Sequence, residues 1–433
     1  MPFTQVSTER QPLLSPDDGT QAPSPSSDDR ASSRRDNDHN DVQHDDISLT
    51  RDHFQVLAIM LCFFLTGVHV TAIGTFLPTL ERFYNINDST AALIFSAGVA
   101  GYITTCLLMP KVVSLTGWRG VSLIAPMLYL ASDILLSIGP AYPVVLASYF
   151  VGGLGYGLSD SGFCSWASKR SYANVVQGLM HGSFAVGSIV GPLASYAVLK
   201  HGFEWAAFYR MMAILIFVKL VILGLAFWKE SPRAFRTTRN GQQQSKVAGL
   251  TQAKLILICS IFYFFYIAVE AIYTDWVITY MQRVRDVKLA TASLSSSVFW
   301  IGMALGRTLL GLVTEYFGLK VSVTAYITLS ICLQVAFRLV QNVPTSLVLL
   351  GTIGFFLGPM FPSGILLLSS TLPLQQVLGA ISAASAVGQV GGGLAPLLLG
   401  LMADTLGMKH LPDVVVGLTL LLLVFWLIFA RCA

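Results

Sequence analysis

Residues 54–80 read FQVLAIMLCFFLTGVHVTAIGTFLPTL, and none of these 27 residues is an aspartate, glutamate, lysine or arginine. An α-helix rises 1.5 Å per residue, so about 20 apolar residues cross the ~30 Å hydrocarbon core of a bilayer. The stretch is therefore long enough to span a membrane as one helix.

Eleven similar apolar stretches follow along the chain. The twelve predicted spans lie at about 54–80, 90–109, 121–139, 143–166, 174–199, 206–228, 254–280, 291–313, 321–339, 345–370, 377–402 and 412–430. The longest polar break after residue 50 is 229–253, and it divides the spans into six and six. We therefore predict an all-α integral membrane protein, with a six-helix bundle in 51–228, a linker loop in 229–253 and a second bundle in 254–433.

The charged residues indicate the same class. Residues 1–50 hold 14 of the 50 aspartates, glutamates, lysines and arginines, which leaves 36 in the remaining 383 residues. Soluble domains average about 25% charged residues, so a soluble enzyme is excluded. The net charge of +4 is too small and too scattered to indicate a nucleic-acid partner. The six cysteines form no CxxC or Cys/His cluster, so neither a metal nor another cofactor is predicted.

The N-terminal 50 residues predict a disordered cytoplasmic tail, because they contain too few apolar groups to offset the entropy of the chain. Within this tail, Glu9, Leu13 and Leu14 have the spacing of an acidic dileucine signal. Such signals sort membrane proteins to endosomes, lysosomes or vacuoles through an adaptor. A chance match in a segment of low complexity explains the same residues.

The basic residues of the loops indicate the orientation of the chain. With the N-terminus in the cytoplasm, 13 lysines and arginines lie on the inner side and eight on the outer side. The positive-inside rule therefore favours two cytoplasmic termini. We expect a multi-pass monomer in the vacuolar or endosomal membrane, or in the plasma membrane.

The two predicted bundles are related by an internal repeat. At an offset of 201 residues, seven glycines of the first half coincide with glycines of the second, whereas chance predicts fewer than two matches. The pairs are Gly101 and Gly302, Gly117 and Gly318, Gly153 and Gly354, Gly157 and Gly358, Gly178 and Gly379, Gly187 and Gly388, and Gly191 and Gly392. We interpret this pattern as a duplicated six-helix unit.

The same offset aligns two loops, PKVVSLTGWR at 110–119 and GLVTEYFGLK at 311–320. Both are similar to the signature loop of the major facilitator superfamily, although the first copy lacks the acidic residue. The resemblance implies an inner gate in the second half. Its predicted gating residues are Arg307, Glu315, Gly318 and Lys320.

A narrower resemblance extends over most of 54–430. The segments GLGYGLSDSGFCSW at 153–166, HGSFAVG at 181–187, GPMFP at 358–362 and AVGQVGGG at 386–393 resemble spans of fungal relatives of fucose:proton symporters. The resemblance implies two parallel bundles that rock about a central substrate site, and it adds Gln389 to the candidates for that site. Such symporters often carry an aspartate in the first span. This chain has His69 nearby instead, so an acid of that span cannot be the proton carrier.

Titratable groups deep in a span are costly, and they indicate functional positions. Glu270 and His69 both lie near the predicted midplane and are 201 residues apart, so we expect them to face a central cavity from symmetric positions. A carboxylate between apolar walls can load and release a proton during transport. A hydrogen bond from Glu270 to a neighbouring hydroxyl, or a purely structural His69, is the alternative.

Asp160 and His181 form a second candidate group, because their depths in the fourth and fifth spans are similar. The pair predicts a proton relay or a hydrogen-bonding site for a polar substrate, with a fixed interhelical bridge as the alternative. Two other buried charges, Asp133 and Lys219, lie on helices that are peripheral in the resembled family. We expect local pairing or snorkelling there.

Aromatic residues share one face of the seventh span with Glu270. They are Tyr266, Tyr273, Trp276 and Tyr280. An acid among such rings suits a hydroxylated, ring-shaped ligand, so Tyr273 and Trp276 are candidate substrate contacts. Ordinary packing between helices is the alternative.

These observations predict a secondary transporter of a small polar organic solute, such as a sugar, that works by alternating access and is coupled to protons. No Walker-type phosphate-binding loop occurs in the sequence, which argues against ATP-driven transport by this chain alone. Two other hypotheses remain open. One is a multispan membrane enzyme acting on lipid, and the other is a transporter-like sensor without flux.

Overall fold

The computed structural model describes residues 27–167, 170, 173–230, 250–372 and 374–433. The chain divides into a small unit, Met1–Asp52, and a large unit, His53–Ala433. The predicted sorting residues Glu9, Leu13 and Leu14 lie outside the described residues, as does most of the predicted linker loop.

The described residues form helices, numbered here in chain order. They are α1 Ser27–Tyr84, α2 Asp88–Ser137, α3 Tyr142–Ala167, α4 Ala173–Lys200, α5 Trp205–Ala226, α6 Leu250–Val284, α7 Leu289–Phe317, α8 Leu319–Leu339, α9 Val343–Leu357, α10 Met360–Thr371, α11 Leu374–Leu406 and α12 Leu411–Cys432. A 3₁₀ turn, Met408–His410, precedes α12.

These helices make twelve membrane crossings, as predicted. Helix α2 contains two crossings, since its 50 residues are interrupted by non-helical backbone at Gly117. The short helices α9 and α10 together form the tenth crossing. The glycine-rich helix α3 has 26 residues, which is enough to cross beside α2.

Helix α1 begins at Ser27, inside the segment for which the sequence predicts disorder. The structure is helical over 27–50, and the disorder of the tail stays a prediction. Extending an existing helix adds one hydrogen bond per residue without a new nucleation cost, and the apolar part of α1 supplies that nucleus.

The backbone repeats the duplication seen in the sequence. Gly117 and Gly318 have φ angles of 68° and 86° and occupy matching chain reversals. Asn85 and Asp286, also 201 residues apart, have φ angles of 53° and 52° at the ends of α1 and α6. Positive φ is uncommon for residues other than glycine, so its recurrence at the same offset supports a duplicated unit.

Close helix packing also recurs at that offset. A Cβ atom at Gly101 would lie 2.1 Å from the carbonyl oxygen of Phe150, and one at Gly302 would lie 1.9 Å from that of Gly351. Only glycine allows these backbones to approach so closely. In membranes such small-residue contacts help to hold helices together, because lipid supplies no hydrophobic drive between them.

The two faces of the large unit are named by their turns. The distal face carries the turns at 85–87, 201–204, 285–288 and 340–342, and the proximal face carries the C-terminus. In the distal half, Ser297 of α7 donates a hydrogen bond to the Ile189 carbonyl of α4 at 2.8 Å. Ser96 of α2 donates to the Gly393 carbonyl of α11 at 3.3 Å. The bundles therefore pack directly against each other on this side.

Candidate functional site

A first polar cluster lies between α2, α3 and α4 of the first bundle. The Tyr102 hydroxyl donates to Asp160 Oδ2 at 2.6 Å. Cys164 Sγ lies 4.0 Å from Asp160 Oδ1 and 3.9 Å from His181 Nε2. The structure thus brings Asp160 and His181 together as predicted, with the Cys164 thiol between them rather than in a direct ion pair.

A second polar cluster lies between α6 and α7 of the second bundle. The Tyr266 hydroxyl donates to Glu270 Oε2, and Arg307 Nη2 lies 3.6 Å from the same oxygen. Arg307 also donates through Nε to the Gly358 carbonyl at 3.3 Å. The side chains of Glu270 and Arg307 are each 19% exposed, so water or a small solute can reach this ion pair.

The two clusters are close enough to act as one site. The rings of His181 and Phe361 are 5.8 Å apart across the two bundles. Arg307 is close enough to His181 to interact with it electrostatically, and Glu270 is close enough to Tyr156 to do the same. We call the set the central polar site. It comprises Tyr102, Asp160, His181, Tyr266, Glu270 and Arg307.

The chemistry of this site suits a polar, uncharged ligand. Asp160 and Glu270 offer hydrogen-bond acceptors, and Arg307 offers donors in a planar arrangement. Tyrosine rings beside both carboxylates add apolar faces, since Tyr102 and Tyr156 pack with ring centroids 5.1 Å apart. Among the residues that the structure describes, no three His, Cys, Asp or Glu side chains form a metal-binding group.

At the distal face, Arg283 of α6 joins the two bundles. Its Nη1 donates to both carboxylate oxygens of Asp88 in α2, at 2.7 and 2.8 Å. Its Nη2 donates to Glu81 of α1. Glu81 and Asp88 are each only 7% exposed. Charge-assisted bonds of this kind are about twice as strong as neutral ones, so Arg283 favours the closed distal face.

Asp404 of α11 makes a further connection between the bundles. Its two carboxylate oxygens accept hydrogen bonds from the backbone amides of Asp88 and Ser89, at 2.9 and 3.0 Å. These amides begin α2, where a helix leaves its first N–H groups without partners and carries partial positive charge. Together, Glu81, Asp88, Arg283 and Asp404 form what we call the distal latch.

On the proximal face, one ion pair between described residues lies within the first bundle. It joins Arg170 to Glu230 at 4.0 Å. The predicted gating residues Glu315 and Lys320 are both exposed there, and Gly318 forms the chain reversal between α7 and α8. The distal latch holds the distal side closed in this conformation.

His69 lies in a separate cluster inside the first bundle. Its Nε2 lies 2.8 Å from Asp133 Oδ1, and its ring makes edge contacts with Tyr129 and Tyr209. Lys219 lies 4.4 Å over the Tyr129 ring and is fully buried. Snorkelling of Lys219 is therefore the wrong expectation, whereas the local pairing expected of Asp133 is confirmed.

The chain resembles known proteins in sequence and in fold. The sequence profile of the Major Facilitator Superfamily matches residues 59–318 and 277–432. The two matches together span nearly all of the membrane region. The chain belongs to the major facilitator superfamily. It is therefore a member of a family of membrane transporters, which excludes the membrane-enzyme hypothesis.

The chain is also similar to individual proteins and to solved structures. The chain is 27% identical over 393 residues to "Bypass of stop codon protein 6" of Saccharomyces cerevisiae, covering 83% of this chain and 78% of that protein. It is 23% identical over 364 residues to a glucose/mannose transporter of Bacillus subtilis, covering 78% and 85%. Its fold matches the crystal structure of a D-xylose–proton symporter with a TM-score of 0.71, at 15% identity, covering 86% and 97%.

The superfamily fold puts some predicted site residues in places that the sequence did not indicate. His69 does not face Glu270, because its ring points into the first bundle towards Asp133. Arg307 does not contact the gate loop, because its guanidinium turns towards Glu270 and Gly358. His69 is therefore not part of the central polar site in this structure, and the gating role of Arg307 stays a prediction.

The aromatic face of α6 is mostly packed against other helices. Tyr273 is fully buried, with its ring 5.0 Å from Phe299. Trp276 is fully buried and donates through Nε1 to the Pro396 carbonyl at 3.1 Å. In this conformation both residues make contacts between helices, and their role as substrate contacts stays a prediction. Gln389 on α11 is partly exposed.

The distal latch is the feature that sequence reasoning missed. Glu81 lies near the end of the first helix of one copy of the repeat, and Arg283 lies one position beyond the equivalent point, residue 282, in the other copy. An acid and a base at matching helix ends are a signal of contact between bundles. With Arg283 counted only as an orientation charge and Glu81 left out, that signal was concealed.

Proposed function

We propose that this chain is a proton-coupled symporter of a small polyhydroxylated solute, such as a hexose or pentose. The observation that carries the proposal is the central polar site, where carboxylates from both bundles lie beside tyrosines and one arginine. Sugar hydroxyls bind carboxylates and guanidinium groups through paired hydrogen bonds, while the apolar face of the ring packs on aromatic side chains. A sugar transporter among the relatives agrees with this ligand class.

In the proposed cycle, Asp160 and His181 bind the solute from the first bundle and Glu270 and Arg307 bind it from the second. Glu270 carries the coupled proton. Deprotonated Glu270 pairs with Arg307, and protonated Glu270 releases Arg307 to donate to the solute instead. Proton binding and solute binding then support each other, which is the linkage that symport requires.

Alternating access follows from the two faces. With the distal latch closed, the solute exchanges with the proximal side. Opening of the latch and closure of the proximal side, near the loop that contains Glu315, Gly318 and Lys320, expose the same site distally. The positive-inside rule supports a cytoplasmic proximal face and two cytoplasmic termini.

Uptake into proteoliposomes tests the proposal. Labelled hexoses, pentoses and polyols are supplied one at a time, with and without an imposed inward proton gradient. At least one sugar is expected to accumulate only with the gradient, and Glu270→Gln and Asp160→Asn are expected to abolish that accumulation. Asp413→Asn is the control, because Asp413 pairs with Arg338 at the exposed distal surface of one bundle.

The outcomes separate the hypotheses. Uptake that ignores the gradient for every transported compound means facilitated diffusion. Binding of a sugar without any flux means a sensor. Gradient-driven uptake that survives both site variants contradicts the assignment of the site.

The sorting signal is a separate proposal about location. Glu9, Leu13 and Leu14 are proposed to direct the protein to the vacuolar or endosomal membrane through an adaptor. Fluorescence microscopy of the Leu13→Ala, Leu14→Ala double variant tests this. Movement to the plasma membrane is expected, and unchanged localisation removes the proposal.

A further inference from the structure

The distal latch contains more acidic than basic side chains. Three carboxylates, Glu81, Asp88 and Asp404, meet one guanidinium, Arg283. Two of the three carboxylates have a partner of their own. Asp88 holds Nη1 of Arg283 with both of its oxygens, and Asp404 is neutralised by the N-terminal amides of α2.

Glu81 is the carboxylate left over by this assignment. One of its oxygens shares Arg283 with Asp88, and the other, Oε1, is buried without a hydrogen-bond partner in the described part of the chain. A buried acceptor without a donor costs about 1–3 kcal/mol, and more when it is charged. A proton on this carboxyl group removes the charge and offers a donor.

In the described part of the chain, Arg283 is the one positive charge that acts on Glu81. Asp88 lies beside it from α2, Arg283 reaches it from α6, and the hydroxyl of Tyr142 lies within electrostatic range from α3. Asp404 faces the same region from α11. Two carboxyl groups that share one site disfavour each other's ionised form, so a proton between them relieves the repulsion that a single guanidinium leaves.

We propose that the Glu81–Asp88 pair is a proton-binding site, and that its proton closes the distal face. When the latch closes, one proton moves from the distal water to this pair. When the latch opens, the acids separate into water and the proton leaves. Acidification of the distal side therefore favours the closed state, and alkalinisation favours opening. This device acts on the gate and operates without any coupled solute, so it extends beyond the proposed function.

Cysteine accessibility tests the proposal without measuring transport. Ser96 lies on α2 and faces α11, behind the distal latch. Ser96→Cys therefore introduces a thiol that distal water reaches only when the latch opens. The protein is reconstituted in proteoliposomes, and a membrane-impermeant maleimide is added outside at pH 5.5 to 8.5. The rate for each variant is divided by that for Phe203→Cys, whose position is 62% exposed on the distal turn.

The division by the exposed thiol corrects for the pH dependence of maleimide chemistry and for vesicles of opposite orientation. Protein without an introduced cysteine gives the background from the six native cysteines. One linked proton changes an equilibrium by at most about tenfold per pH unit. The normalised rate for Ser96→Cys is expected to rise about tenfold from the lowest to the highest pH.

Glu81→Gln keeps a donor at this position without a charge. It is expected to hold the normalised rate low and independent of pH. Asp413→Asn, which changes an acid on the same face but within one bundle, is expected to retain the full pH dependence. If Glu81→Gln does not fold, Asp88→Asn removes the same surplus charge and carries the same expectation.

Two results overturn the proposal. One is a normalised rate in the parent protein that is flat or falls as the pH rises. The other is a foldable Glu81→Gln or Asp88→Asn variant with the parent's pH dependence. Because no solute is present, either result leaves the proposed transport function untouched.

Discussion

The guanidinium of Arg307 lies 3.6 Å from the carboxylate of Glu270, so opposite charges on α7 and α6 meet at the central polar site. Both groups are partly exposed, and both also contact Tyr266. Because of this contact, protonation of Glu270 releases Arg307 from its ion pair. Proton coupling in the account depends on it.

Arg307→Gln is expected to leave Glu270 with Tyr266 as its donor. Removing one partner of a buried ion pair lowers the free energy of unfolding by about 3–5 kcal/mol, whereas losing an exposed pair lowers it by less than about 1 kcal/mol. Because this pair is partly exposed, Arg307→Gln is expected to lower the free energy of unfolding by about 1–3 kcal/mol. Sugar uptake should fall at least tenfold, as initial rates in proteoliposomes would show. Arg338→Gln breaks a pair on the protein surface and should leave the rate within a factor of two.

Removal of the latch cation is expected to open the distal face. Arg283→Gln leaves Glu81 and Asp88 as unpaired acids that repel each other. The distance between spin labels at Phe203 and Asn342, on distal turns of different bundles, should then increase. Double electron–electron resonance measures this distance. An unchanged distance distribution would mean that the latch does not hold the face closed. Arg338→Gln, on the same face, should not alter the distribution.

The cluster around His69 predicts two opposite effects on stability. The Lys219 amine has no hydrogen-bond partner among the described residues, so Lys219→Met should leave thermal stability unchanged or raise it. Asp133→Ala removes the partner of His69 and should lower stability by about 1–3 kcal/mol. Thermal unfolding in detergent measures both. A larger loss for Lys219→Met than for Asp133→Ala would contradict this description of the cluster.

Helices α7 and α9 pack closely at Gly302, so a side chain introduced there is expected to have a large effect on folding. Gly302→Val places atoms against the Gly351 backbone, and neither helix can shift cheaply, so little folded protein should reach the membrane. Gly311→Ala is the matched control on the same helix, because a Cβ there meets nothing within 4 Å. It should express normally and gain about 1 kcal/mol of helix stability. Size-exclusion profiles of both variants test this.

The sequence predicts the membrane fold well because two of its signals act locally. Apolar length fixes a span, and a glycine, as at Gly101 and Gly302, marks a place where two helix backbones can approach closely. The positive φ angles at Gly117 and Gly318 follow from the same local chemistry.

Side-chain direction was harder to predict, because it depends on helix rotation and on partners distant in the chain. His69 and Glu270 occupy equivalent positions, yet Asp133 draws the His69 ring inward and Arg307 holds Glu270 at the central site. The latch joins Glu81 to Arg283, 202 residues away. No periodicity within one helix indicates such a pair.

Solute-driven proton movement in Glu270→Gln tests the central claim most directly. Proteoliposomes containing an entrapped pH dye are given a downhill gradient of the transported sugar, and exchange of labelled for unlabelled sugar is measured in the same preparation. Parent protein is expected to carry protons with the sugar. Glu270→Gln is expected to exchange sugar while moving no protons, because the solute site remains and the proton carrier is gone. Proton movement at the parent's ratio to sugar in Glu270→Gln would contradict the account.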